Sequence, residues 1–89
     1  MKYVVRYEMA PNGIALVPNL FPAHKARLDE FHARGALLMV GPMEDPRDGA
    51  MAIFTTREAA EEFVAGDPFV KGGAVGKWTI WAWNETLLK

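Results

Sequence analysis

Cysteine and serine are both absent from the 89 residues. Without a thiol the chain has no disulfide, no thiolate metal site and no thiol nucleophile, and nothing in it requires an oxidising compartment. Without serine there is no serine nucleophile. Histidine is scarce: His24 and His32 are the two present, and on one helix they would lie more than two turns apart, too far to share a metal directly. Gly66, Gly72, Gly73 and Gly76 match neither nucleotide-binding fingerprint. No histidine or thiolate metal site and no organic cofactor are therefore expected, with a carboxylate-only metal site left open. An excess of charge of either sign is also missing, with 10 basic against 11 acidic side chains and a net charge of −1. Such a balance offers no concentrated field to a phosphate backbone or an anionic bilayer, so neither nucleic acid nor membrane is an expected partner. There is no cationic start followed by an apolar run, and no apolar stretch of membrane-spanning length. The expected location is cytoplasmic.

What the chain has in quantity is apolar surface. A chain of this length makes one domain, expected to span residues 1–89, with one two-layer core. Hydrophobic residues make up 51% of it, more than so small a domain readily buries, and Trp78, Trp81 and Trp83 lie close together. Part of this surface is expected to be buried against a second copy, giving a homodimer.

Alternation over Lys2 to Met9 predicts a strand, with Tyr3, Val5 and Tyr7 on one side. The segment from Ala10 to Asn19 carries two prolines, a glycine and two asparagines and reads as a loop, apolar enough at Ile14 to Val17 to wall a pocket. A helix is predicted from about Phe21, with Pro22 in its opening turn and Gly35 as its left-handed stop. Ala36 to Val40 reads as an interior strand ended or bent by Gly41-Pro42. Glu44 to Gly49 then reverses the chain into a strand over Ala50–Phe54, antiparallel to the one before. Thr55 or Thr56 caps the next helix, Thr55 having capping-box spacing to Glu58, and Ala59, Ala60, Phe63 and Val64 form its buried stripe. Gly66 closes that helix, Val70 to Gly76 reads as a loop, and Lys77 to Asn84 is the last strand.

The order β-α-β-β-α-β predicts an α+β, ferredoxin-like two-layer sandwich, a four-stranded antiparallel sheet with both helices on one face. In the last strand both sides are apolar or aromatic, as expected if a second subunit covers the helix-free face.

At 100° per residue His24, Leu28, Phe31 and Gly35 share one narrow sector of the first helix, so a histidine heads the buried stripe. Placed near the helix start and buried, His24 is expected to be neutral around pH 7 and available as a base. Position alone favours a space-filling ring whose nitrogens are satisfied, and only a partner elsewhere in the sequence changes that. Asp67 is the candidate partner, because a carboxylate on one ring nitrogen sets the tautomer and steadies the imidazolium formed when the other takes a proton. Its plainer role is to cap the turn that Pro68 begins.

Pro22-Ala23-His24, Leu28, His32, Gly35, Leu37, Leu38, Gly41-Pro42-Met43, Glu58-Ala59-Ala60, Asp67-Pro68-Phe69-Val70 and Gly73 together resemble the YCII-related (YciI-like) domain family over nearly the whole chain. The resemblance implies a ferredoxin-like fold of the dimeric α/β-barrel class and an active site built on a histidine and an aspartate, which match His24 and Asp67. Family members include an enzyme that removes chloride from a chlorinated hydroxyquinol without a cofactor. Members often carry arginine where this chain has Phe21, and the departure implies a more apolar pocket rather than an anion site.

The expected function is thus a cofactor-independent proton-transfer enzyme, of elimination or isomerisation type, acting on a small hydroxylated and possibly cyclic metabolite. His24 and Asp67 are the expected catalytic pair, and Gly41, Pro42 and Phe69 the substrate-binding walls. The competing reading is a non-catalytic ligand-binding or accessory dimer. A monooxygenase of the same barrel class is a third, resting on fold analogy alone.

Overall fold

The computed structural model describes residues 1–87. Its elements are β1 (Lys2–Met9), α1 (Gly13–Ala33), β2 (Leu37–Pro42), β3 (Ala50–Phe54), α2 (Arg57–Gly66), a one-turn α3 (Pro68–Lys71) and β4 (Val75–Trp83), with a 3-10 turn at Pro46–Asp48 between β2 and β3. The four strands form one sheet in the order β2-β3-β1-β4, and every neighbouring pair is antiparallel. This is the ferredoxin-like α+β sandwich that the element order predicts.

Registration assigns the two faces. Tyr3, Val5 and Tyr7 lie opposite Phe54, Ala52 and Ala50 on β3 and opposite Ala82, Ile80 and Trp78 on β4, so these residues share the face that the helices cover. There Phe31 of α1 packs edge to face against Phe63 of α2, centroids 5.2 Å apart at 84°, and against Phe54 of β3, while Phe54 and Phe63 meet at a tilt of 46°. Val5, Leu37 and Val64 close the core around them. The opposite face carries Val4, Met51 and Ile53 with Met39 and Trp81, the last two 64% and 62% exposed. It has no helix on it.

The first helix departs most from the sequence expectation. It begins at Gly13, so the predicted Ala10–Asn19 loop is mostly helix, and Pro18 and Pro22 lie inside it rather than at its start. A proline inside a helix removes the bond to the carbonyl four residues back. Being four residues apart, the two prolines stack on one side of the helix, and both are exposed, so water can serve the carbonyls they leave free. Gly13 allows this early start. It is buried, Ala10 N–H donates to Ala74 O at 2.9 Å, and a Cβ on Gly13 would collide with the same carbonyl. At the other end Gly35 adopts φ +76°, the left-handed stop expected of it.

Smaller corrections have equally local causes. Thr56, not Thr55, caps α2 by accepting from Ala59 N–H at 3.1 Å, while the Thr55 hydroxyl points back to Ala36 O. Gly41 and Pro42 continue β2 as far as Ala50, and an edge strand tolerates the missing proline donor. Gly66 is the last residue of α2, the closing position expected of it, but in helical rather than left-handed conformation; its lack of a side chain makes room for the Arg27 guanidinium, which a Cβ would strike. The predicted Val70–Gly76 loop shrinks because Pro68 starts α3 and β4 begins at Val75.

Candidate active site

His24 stands mid-helix in α1, more than two turns from Gly13. The oriented amides at the helix start are therefore too far away to act on it, contrary to expectation. Its surroundings come instead from the junction of α2 and α3. Pro68 holds Asp67 extended, at φ −69° and ψ 124°, as the residue before a proline must be. Arg27 fixes the same junction from α1: its Nε donates to Phe63 O at 3.2 Å and its Nη2 to Glu62 O at 2.7 Å, satisfying carbonyls near the end of α2.

Asp67 so placed is completely buried and accepts three hydrogen bonds. Oδ1 lies 2.7 Å from His24 Nδ1 and accepts from Phe69 N–H at 3.1 Å, while Oδ2 accepts from the Tyr7 hydroxyl at 2.6 Å. The turn-capping role and the histidine contact thus coexist in one carboxylate. With Asp67 ionised the carboxylate can only accept, so a proton shared in the His24 contact sits on Nδ1. Phe69 lies flat against the imidazole, with centroids 3.7 Å apart and planes 7° apart, and Phe63 meets its edge at 6.1 Å. The ring is held on one face, at one edge and through one nitrogen.

Nε2 is the atom left over. No buried side-chain nitrogen or oxygen among the described residues lacks a partner, and His24 bonds only through Nδ1, so Nε2 keeps contact with solvent although His24 as a whole is 7% exposed. The opening is a cleft of about 480 Å³ lined by residues that include Tyr7, Phe21, His24, Gly41, Pro42 and Phe69. A smaller cavity of about 40 Å³, lined by residues that include Val5, His24, Ala52 and Phe63, shares part of its lining with the cleft. Gly41, Pro42 and Phe69 thus line the cleft that His24 reaches. Among the described residues there is no group of three or more side chains able to hold a metal, and no helix long and apolar enough to cross a membrane.

Tyr7 is the member of this cluster that sequence reasoning missed. Its inward position on β1 was legible, and a buried tyrosine needs a partner for its hydroxyl, but that partner is 60 residues away. Burial, the adjacent Asp67 charge and the hydrogen bond to Asp67 together raise the Tyr7 hydroxyl far above the ordinary tyrosine range, against a smaller opposing effect of Arg27. The shift keeps the hydroxyl protonated, and so a donor to Asp67, around neutral pH.

Comparison with known proteins places these residues in context. The model of the YCII-related domain matches residues 1–84. Protein YciI of Escherichia coli is 33% identical over 84 residues, which cover 82% of this chain and 86% of that protein. The structure of 5-chloro-2-hydroxyhydroquinone dehydrochlorinase from Burkholderia phenoliruptrix, in complex with 2,5-dihydroxybenzoquinone, matches with a TM-score of 0.81 at 22% identity, over 97% of this chain and 96% of that one. SnoaB, a cofactor-independent oxygenase from Streptomyces nogalater, matches with a TM-score of 0.51 at 15% identity, over 99% and 96% of the two chains. At these identities the two structures establish a common fold.

Proposed function

The chain belongs to the YCII-related domain family, and from that premise we propose that it is a cofactor-independent enzyme that moves a proton on a small, cyclic, hydroxylated metabolite. One observation carries the reading: the 2.7 Å contact between His24 Nδ1 and Asp67 Oδ1, made by a ring whose other nitrogen opens to a cleft. His24 Nε2 takes a proton from a substrate hydroxyl, and Asp67 holds the ring in the required tautomer and offsets the imidazolium charge. Tyr7 acts through Asp67, fixing the carboxylate by its second oxygen. Gly41, Pro42 and Phe69 wall the substrate.

The proton taken from the hydroxyl leaves its electron pair on the ring system. Returned to a ring carbon, the proton makes the keto isomer. Where that carbon carries a halogen, removal of a second hydroxyl proton expels halide, and the net change is loss of one hydrogen halide. A dehydrochlorinase and a cofactor-independent oxygenase share the fold, which is consistent with small-molecule chemistry of this type.

Two copies pair, in this reading, through the helix-free sheet face, where Met39, Met51, Trp81 and Trp83 are exposed and an uncovered apolar patch favours association. The proposed location is cytoplasmic, consistent with the absence of cysteine.

The test is anaerobic incubation with 5-chloro-2-hydroxyhydroquinone and its unchlorinated parent, following chloride release and deuterium uptake from D₂O by NMR. Turnover by the wild type, lowered at least about 100-fold in His24→Gln, is the expected result. Tight binding with no chloride release and no deuterium uptake would favour the binding-module reading. Equal turnover by His24→Gln would remove His24 from the chemistry.

A further inference from the structure

Six residues of α1 line the cleft; five of them, Ile14, Val17, Phe21, His24 and Leu28, are spaced by three and four residues and form one continuous helix stripe. Such a stripe ordinarily packs against a sheet, yet here Ile14 and Phe21 remain exposed. Beside Met9, Tyr7 and Phe69, the rest of the lining outside α1 is short: Val40, Gly41, Pro42, Pro46, Gly49 and Ala50, and a Cβ added at Gly41 would meet no atom within 4 Å. The gap between the two walls is therefore hydrocarbon on both sides.

Polar anchors are few. The Tyr7 hydroxyl is committed to Asp67. Lys25, at the rim, places its Nζ 2.9 Å from both carboxylate oxygens of Asp29 in an exposed pair. His24 Nε2 is left as the side-chain group free to meet a ligand oxygen deep in the cleft. An anionic group buried here would lose its hydration with no unpaired cation among the described lining residues to replace it. Size gives the other bound: a cavity of about 150 Å³ is enough to hold benzene, and this cleft has about 480 Å³.

We infer that the cleft prefers, among uncharged hydroxylated ligands, those whose hydrocarbon ring system is larger than a single six-membered ring, with one of the hydroxyls meeting His24 Nε2. The inference deepens the proposed function and rests on it for the orientation of the ligand. The selection itself follows from the walls and needs no proton transfer. Phe21 covers one flank of the ligand, and Leu28, Val40 and Phe69 meet the rest of its body.

NMR titration of the full chain with phenol, 2-naphthol and 6-hydroxy-2-naphthoate tests this. Expected is a Kd for 2-naphthol at least tenfold below that for phenol and at least tenfold below that for the naphthoate, with the largest shifts at Phe21, His24 and Phe69. Phe21→Lys, a change at an exposed position that leaves the core intact, is expected to reverse the preference between 2-naphthol and the naphthoate. Equal affinities for phenol and 2-naphthol, a naphthoate that binds as tightly as 2-naphthol to the wild type, or shifts confined to Trp81 and Met39 would overturn the inference. His24→Gln separates the two proposals: a naphthol preference that persists in it supports the selection, even if the turnover assay has by then removed His24 from catalysis.

Discussion

The two halves of α1 carry one apolar stripe and treat it in opposite ways. Toward the C-terminus Phe31 is 0% exposed, edge-on to Phe63 and Phe54, with the guanidiniums of Arg27 and Arg34 over its ring at 4.9 and 4.3 Å. Toward the N-terminus Phe21 occupies the same kind of position, is 46% exposed, and stands 6.2 Å from the His24 ring. Spacing does not distinguish them. What differs is the opposite wall, aromatic and interlocking under Phe31, small and set back across from Phe21. One half of the helix holds the fold together, and the other half lines a space. His24 sits where the two meet.

The largest effect should come from the packed half. Phe31→Ala is expected to lower unfolding free energy by about 3–5 kcal/mol, and Phe21→Ala to stay within about 0.5 kcal/mol of wild type, both by urea denaturation. Equal losses would erase the distinction between the halves.

The junction ranks next. Tyr7→Phe removes a hydrogen bond to a buried carboxylate and is expected to lose about 1.5–3 kcal/mol at neutral pH. Because folding raises the Tyr7 pKa, this contribution is fully present below the ordinary tyrosine value near pH 10 and fades above it. The stability gap between wild type and Tyr7→Phe should therefore be constant from about pH 6 to 9 and narrow beyond about pH 10. A gap that widens there would place the hydroxyl elsewhere.

The smallest effect lies far from both halves. Lys2 Nζ donates to Glu85, holding that carboxyl down to about 2. A depressed folded pKa contributes stability above the ordinary carboxyl range, which is lost as pH falls toward 2. The stability difference between wild type and Glu85→Gln, followed by thermal melts, should shrink over that window and leave the contrast within α1 untouched.

Much of this frame was legible in the residues. Alternation located β1, the Ala50–Phe54 strand was found at its observed limits, and Gly35 marked the end of α1. The sector shared by His24, Leu28 and Phe31 was visible from helical periodicity alone. The start of α1 was not, because Pro18 and Pro22 count against a helix unless one knows that both face water. Without that start, Ile14, Val17 and Phe21 could not be joined to His24 as one stripe. Tyr7 escaped for another reason: its role depends on a carboxylate brought to it by the chain's return through α2, which no local pattern encodes.

The central claim is that Asp67 fixes the proton of His24 on Nδ1 and leaves Nε2 bare toward the cleft. Long-range ¹H–¹⁵N correlation of the His24 ring at pH 8, in wild type and in Asp67→Asn, tests it directly. The account predicts an Nδ1-protonated, neutral imidazole in the wild type and loss of that tautomer's dominance in the variant. A wild-type ring carrying its proton on Nε2, alone or together with Nδ1, would contradict it.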